Sequence, residues 1–164
     1  MKKIMIMALM LIGFGISASA QNFGFGVNLG YGSEIEKPSF GIKALYDINE
    51  SFTLTPSFNY YLKEEVDGFD INFWDINLDL HWNCYDADMY QLYPLAGVTY
   101  LKGKVSAEES GFEISSSDGK FGVNLGFGGQ LYLTENWLVS AEVKYQIIDN
   151  VNQFVPSLSL MYKF

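Results

Sequence analysis

From Phe23 onward, apolar and polar positions take turns. Phe23, Phe25, Val27, Leu29 and Tyr31 occupy the odd positions, and Gly24, Gly26, Asn28 and Gly30 the even ones. Period two is the signature of a strand with two unlike faces. Seven further segments repeat it, with apolar faces over 40–46, 52–60, 74–82, 90–100, 121–133, 137–147 and 154–164. The eight apolar faces hold 44 residues, none of them charged and none Ser, Thr, Asn, Gln or His. Each segment is close to the ~9–11 residues with which a tilted strand crosses a bilayer. The connectors after the second, fourth and sixth strands are tight and polar: Asp47–Ser51, Asp86–Asp88 and Thr134–Asn136. Those after the first, third and fifth read as longer loops, the longest being Lys102–Lys120, and the last, Asp149–Asn152, is short.

Such alternation suits either a soluble barrel with a greasy interior or a membrane barrel with a greasy exterior. Volume decides between them. An eight-stranded barrel has room inside for modest side chains only, and 19 of the 44 apolar-face residues are aromatic. The apolar face is therefore expected to meet lipid, and the glycine-rich face to line the lumen. The aromatics support this by falling into two belts, as at membrane interfaces. Tyr31, Phe40, Tyr60, Trp74, Tyr100 and Tyr145 lie toward one rim, and Tyr46, Trp82, Tyr90, Trp137 and Tyr162 toward the other. Pro56, Pro94 and Pro156 also fall on the lipid face, where each removes a ladder donor. The sequence leaves the strand registers around them open.

The first twenty residues read differently. A basic MKK, a 13-residue apolar run and Ala18-Ser19-Ala20 form the three parts of a secretory signal. Residues 1–20 are expected to be removed, leaving a single domain over 21–164. Without Lys2 and Lys3, eight lysines face 19 acids, a net charge of −11, and arginine is absent. That balance argues against nucleic acid, which demands basic patches. The single cysteine, Cys84, excludes an internal disulfide.

Signal, alternating strands and the tail Leu158, Leu160, Tyr162 and Phe164 together resemble the small outer-membrane β-barrel family. That family includes the OmpA transmembrane domain and OmpX-like proteins, and the likeness is nearest to single-domain "outer membrane β-barrel / porin family" proteins of Bacteroidota. The resemblance implies an all-β fold, an eight-stranded antiparallel up-and-down transmembrane barrel, in the outer membrane of a Gram-negative bacterium. It also implies that the tail is read by the outer-membrane assembly machinery, and that the neighbours are outer-membrane lipid and lipopolysaccharide. A monomer without a cofactor is expected.

Several features invite a sharper chemistry. The hexapeptide FGVNLG occurs at Phe25–Gly30 and again at Phe121–Gly126. With Gly24 the first copy reads GxGxxxG, but it lacks the following helix and the distant acid that dinucleotide binding requires. Small residues on a crowded inner wall explain it better. Lys43, Asp75, Asp79, His81, Glu142 and Lys144 fall on the lumen parity, where charge must be paired or wetted. They read as a plug of ion pairs, for example Lys43 or Lys144 with Asp75, Asp79 or Glu142, or alternatively as the gate of a narrow pore. His81 is the sole histidine, which argues against a metal site, and no Ser-His-acid set of a lipid-modifying enzyme is recognisable around it. Cys84 and Met89 read as apolar fillers.

Acids gather in the long connectors: Glu64, Glu65, Asp67 and Asp70 in one, Glu108, Glu109, Glu113 and Asp118 in another. Pairing Val66 with Asp70 would close a three-residue turn, Asp67-Gly68-Phe69, and raise a β-ribbon above the membrane. The reading that follows is a non-enzymatic anchor or adhesion-like barrel that meets an extracellular ligand or protein through its loops. A low-conductance channel is the alternative, and an enzyme acting on lipid a more distant one.

Overall fold

The computed structural model describes residues 23–62, 64–66, 69–87, 89–109, 112–149 and 151–164, with backbone only over 64–66, 69–71, 104–109 and 112–118. The expected signal segment 1–20 and the loop residue Asp67 lie outside the described residues. Ten strands follow one another: β1 (Phe23–Gly32), β2 (Lys37–Asn49), β3 (Phe52–Tyr61), β4 (Glu64–Val66), β5 (Phe69–Trp82), β6 (Tyr85–Ala87), β7 (Tyr90–Glu109), β8 (Phe112–Tyr132), β9 (Trp137–Ile148) and β10 (Val151–Lys163). Their order in the sheet is β4-β5-β3-β2-β1-β10-β9-β8-β7-β6, and a β5–β7 pairing joins the two sides into a closed ring of eight.

The two short strands are continuations of their predecessors. β3 pairs with β5 through Tyr60↔Trp74, and β4 pairs with the same strand through Glu64↔Ile71, which leaves one extra residue on the β3–β4 side. β5 meets β7 through His81↔Leu95, and β6 meets it through Tyr85↔Leu92, again with one residue extra. Each slip is a β-bulge, one extra residue against the partner strand. The barrel therefore has the eight antiparallel walls expected from the alternation, three of them bulged near a rim, since β2 also slips by one residue between Asp47↔Thr53 and Asn49↔Phe52.

Each of the three lipid-face prolines ends or interrupts a ladder on one side and keeps the other. The β2–β3 ladder stops at Lys43↔Ser57 and resumes at Tyr46↔Leu54, skipping Pro56, which stays paired with Leu78 of β5. The β5–β7 ladder ends at Leu95, just before Pro94, while Pro94 pairs with Phe127. The β1–β10 ladder ends at Ser157, just before Pro156, while Pro156 pairs with Val143. A proline has no N–H to give, so only one of its two neighbours can be a full ladder partner.

Three sequence expectations are corrected. Lys102–Lys120 is no loop: β7 and β8 stay paired for 20 positions, from Tyr90↔Leu131 to Glu109↔Phe112. Charge and serine suggested a loop there, but paired strands beyond the apolar band need no apolar face. The first connector is only a four-residue turn over 33–36, because β2 already begins at Lys37. In the second, Val66 pairs with Phe69 rather than Asp70, so Phe69 is a strand partner and not part of a three-residue turn. The ladder β4–β5–β7–β8 thus forms the ribbon, with Phe69 opposite Ala107 and Ala107 opposite Ile114. At the other rim the turns are tight and locally capped. Asn49 Oδ1 accepts from the N–H groups of Ser51 and Phe52, both at 2.9 Å. Thr134 Oγ1 accepts from Trp137 N–H at 3.0 Å. Cys84 and Met89 are exposed here and fill no core.

The faces sort by polarity. Val27, Leu29, Val98 and Leu158 are more than half exposed on the outside, while Asn59, Asp75, Asn124 and Gln146 are at most 3% exposed inside. Aromatic rings touch one another around the outer wall. Near the ribbon rim Trp74 and Tyr100 lie 5.9 Å apart, Tyr100 and Phe121 4.7 Å, Phe40 and Tyr60 5.7 Å, and Tyr145 and Phe154 4.7 Å. Tyr31 is exposed beside them. Near the short-turn rim Trp137 meets Tyr162 at 5.3 Å and Tyr85 meets Tyr90 at 5.7 Å, with Tyr46 and Trp82 exposed in the same belt.

Candidate functional site: the polar lumen and its two rims

The lumen is layered. At the short-turn rim a vestibule of about 1050 Å³ opens outward between Asp47, Glu50, Asp86, Glu135 and Lys163. Lys163 Nζ sits 2.5 Å from Asp47. Above the vestibule, Leu45, Leu138 and Met161 pack together, with Tyr132 against them. At the opposite end Tyr61, Leu101 and Ile148 form a second apolar layer, backed by Ile35, Phe73 and Val151. These residues are apolar on the polar parity, near strand ends, and the sequence reading passed over their joint position.

Between the two apolar layers lie the six charged or titratable residues predicted for the lumen, all buried. Lys43 Nζ is ion-paired with Glu142 Oε1. The same oxygen accepts from Tyr93 O–H at 2.8 Å and lies 3.6 Å from His81 Nε2. Lys144 Nζ donates to Asp79 Oδ2 at 2.8 Å, and Asn124 Nδ2 donates to Asp79 Oδ1 at 2.7 Å. Asp75 takes its hydrogen bonds from neutral groups: Asn77 at 2.6 Å, Tyr61 at 2.7 Å and Asn59 at 2.8 Å. An amide relay runs from Gln153 to Gln146 and on to Asn77, which ties β10 and β9 to β5. Amides and phenols thus carry as much of the network as the ions do. Their signal in the sequence is only a shared parity with the charges.

Small residues make room for this filling. A Cβ added at Gly97 would lie 2.2 Å from Asp79 Oδ1, and one at Gly128 would lie 2.6 Å from Glu142 Cγ. In the repeated FGVNLG, a Cβ at Gly26 would meet Leu160 O at 2.1 Å and one at Gly126 would meet Val143 O at 2.3 Å. The repeat marks two places where the inner wall runs against a neighbouring backbone.

His81 lies against Thr55 and Glu142, yet the geometry is not that of a nucleophile triad. Its Nε2 is 2.9 Å from Thr55 Oγ1 and also 3.6 Å from Glu142. A relay requires the hydroxyl and the acid on different ring nitrogens. The ring is also stacked on Tyr93 at 4.2 Å and is 3% exposed. Among the described residues no cluster of His, Cys, Asp and Glu could hold a metal ion.

The tail residues Leu158, Leu160 and Phe164 face outward, and Tyr162 is half-buried between Trp137 and Phe164. β10 closes the ring against β1, and Phe164 N–H donates to Phe23 O at 2.9 Å. Of the ribbon acids, Glu64, Glu65 and Asp70 fall on β4 and β5, and Glu108, Glu109, Glu113 and Asp118 on the β7–β8 hairpin.

A closed wall with an apolar exterior, two aromatic belts and a hydrogen-bonded polar interior is a membrane-spanning β-barrel, in which every backbone group is satisfied without water. The chain belongs to the outer membrane protein beta-barrel domain family, whose model matches residues 6–164. It is accordingly an integral protein of the outer membrane. A comparison with curated proteins gives no match. Among solved structures, the chain resembles Ail, the attachment invasion locus protein of Yersinia pestis, in complex with the heparin analogue sucrose octasulfate. Identity there is 22%, coverage is 87% of this chain and 97% of that one, and the TM-score is 0.65. Neisserial surface protein A gives 18% identity, 87% and 96% coverage, and a TM-score of 0.67. The N-terminal barrel of Pseudomonas aeruginosa OprF gives 15%, 88% and 98%, and 0.60. At these identities the likeness is one of fold.

Proposed function

We propose that the protein is a non-enzymatic outer-membrane anchor that presents its β4–β5–β7–β8 ribbon to an extracellular ligand or protein, on a barrel closed to solutes. The observation that carries this reading is the asymmetry of wall height. β7 and β8 have 20 and 21 residues, whereas β1, β9 and β10 have 10 to 13. Strands of about 10 residues already span the bilayer, so half of the β7–β8 hairpin stands outside it. By the usual rule for such barrels the tight-turn rim faces the periplasm and the ribbon faces outward. The acids on the ribbon favour cationic partners or divalent ions that bridge lipopolysaccharide phosphates. Complexed Ail offers a precedent for a ligand on a barrel of this shape, though a sulfated sugar suits a different charge.

Support for a closed lumen comes from its two apolar layers with ion pairs and amides between them. Support for a non-enzyme comes from the burial of His81 and its single-nitrogen contacts. Export through residues 1–20 and recognition of the Leu158–Phe164 tail by the assembly machinery complete the proposal. The alternative, a low-conductance channel, draws on the vestibule, which opens the lumen as far as Tyr132, itself packed against Leu45, Leu138 and Met161. Planar-bilayer recording separates the two. The closed barrel gives no stable conductance steps, and steps that change size in Glu142→Gln would establish the channel instead.

A further inference from the structure

The lipid-facing wall is uneven. The outward residues Leu92, Gly129, Ala141, Leu158 and Leu29 form one ladder-paired row across β7, β8, β9, β10 and β1. Gly129 and Ala141 project almost nothing, while Phe127 and Val143 stand up beside them. The result is a trough of about 590 Å³ in the outer wall. Glu142 and Ser157 border it by position only, since both are buried on the lumen side.

The trough crosses the membrane obliquely. Leu92 is two residues from the short-turn belt at Tyr90, and the far end lies at Tyr31 in the opposite belt. Four inter-strand steps of ~4.8 Å make it ~19 Å long. Barrel strands tilt by ~35–45°, so a row across them descends ~12 Å along this length, against the ~15 Å depth of one leaflet of a ~30 Å hydrocarbon core. Length, depth and apolar lining all match one extended hydrocarbon chain. A void left open here would forfeit dispersion contacts along its whole lining.

We propose that this trough binds a single acyl chain of an outer-leaflet lipid. Within the hydrocarbon band the only other occupant is protein. A second copy would need on the order of 1,200–2,000 Å² of matched surface, whereas the trough is a single furrow across five strands. The trough reaches the belt residue Tyr31 at the ribbon side but stops at Leu92, short of Tyr90 in the opposite belt, so the chain enters from the extracellular side. This site is independent of the ribbon and of whether the lumen conducts.

The test uses the full chain refolded into dimyristoylphosphatidylcholine vesicles, extracted gently and weighed by native mass spectrometry. The wild-type protein is expected to retain one phospholipid. Ala141→Phe and Val143→Trp, which fill the trough from two neighbouring places on β9, should lose that added mass. Ile42→Phe on β2 should keep it. Circular dichroism confirms that each variant is folded, and either filling variant alone suffices. A phospholipid with a photoreactive diazirine near the ester end should label the protein near Tyr31, and one at the terminal methyl near Gly129. Absence of retained lipid in the wild type, or equal retention in a folded filling variant, would overturn the proposal. So would a dimer mass lost in those variants, or the reverse labelling order.

Discussion

Glu142→Gln removes one charge from the most crowded layer of the lumen and changes little else in volume. In the folded protein Glu142 is paired with Lys43, accepts from Tyr93 at 2.8 Å and lies 3.6 Å from His81. Both members of the ion pair are 4% exposed. Coulomb attraction in such a place largely offsets desolvation, so an intact pair adds little, but a broken pair leaves Lys43 charged, dry and unmatched. The expected cost is therefore the ~3–5 kcal/mol typical of breaking a buried pair. The amide still accepts from Tyr93, so that bond is kept in weaker form. Lys43→Met with Glu142→Gln removes both charges and should recover much of the loss, giving a coupling energy well above the ~0.3–0.5 kcal/mol of independent sites. Urea titration of the refolded barrel in phospholipid vesicles measures this, with the three tryptophans as fluorescent reporters. A loss of under ~1 kcal/mol for Glu142→Gln, the size seen for solvent-exposed pairs, would show that water reaches Lys43. The layered, dry lumen would then be refuted.

The other predictions concern the wall and the ribbon. Ile42→Arg, on the lipid face of β2 between Val27 and Phe58, should destabilise by ~2–4 kcal/mol, and Phe40→Arg at the aromatic belt by ~0–1 kcal/mol. Equal losses in the same urea assay would contradict the membrane placement. Gly97→Val should fold poorly or lose at least ~1–3 kcal/mol through overpacking, because its Cβ would stand 2.2 Å from Asp79 and 2.4 Å from Leu78 O. Unchanged stability would mean that Asp79 is not held where it is. Replacing residues 105–116 by Asn-Gly joins the paired positions Lys104 and Ser117 by a two-residue turn. The shortened barrel should keep its circular dichroism and heat stability while losing any ligand bound by the intact surface.

Much of this molecule was legible because a membrane imposes a simple rule on a strand. Outward positions must be apolar and inward ones small or polar, so the parity of Phe25, Val27 and Leu29 against Gly26, Asn28 and Gly30 already assigns wall and lumen. The eight walls, both aromatic belts and the burial of Lys43, Asp79 and Glu142 follow from counting by twos. Tertiary structure alone decided how the parities meet. Which lysine faces which acid depends on shear between strands 99 and 65 residues apart in the chain, and no local pattern encodes shear. The bulges after Tyr61 and Trp82, the one-sided ladders at the prolines and the trough over Gly129 and Ala141 arise from closing eight tilted strands into one ring. The long β7–β8 ribbon escaped the sequence reading for the opposite reason. Above the bilayer nothing enforces alternation, and only pairing with a neighbour keeps those residues extended.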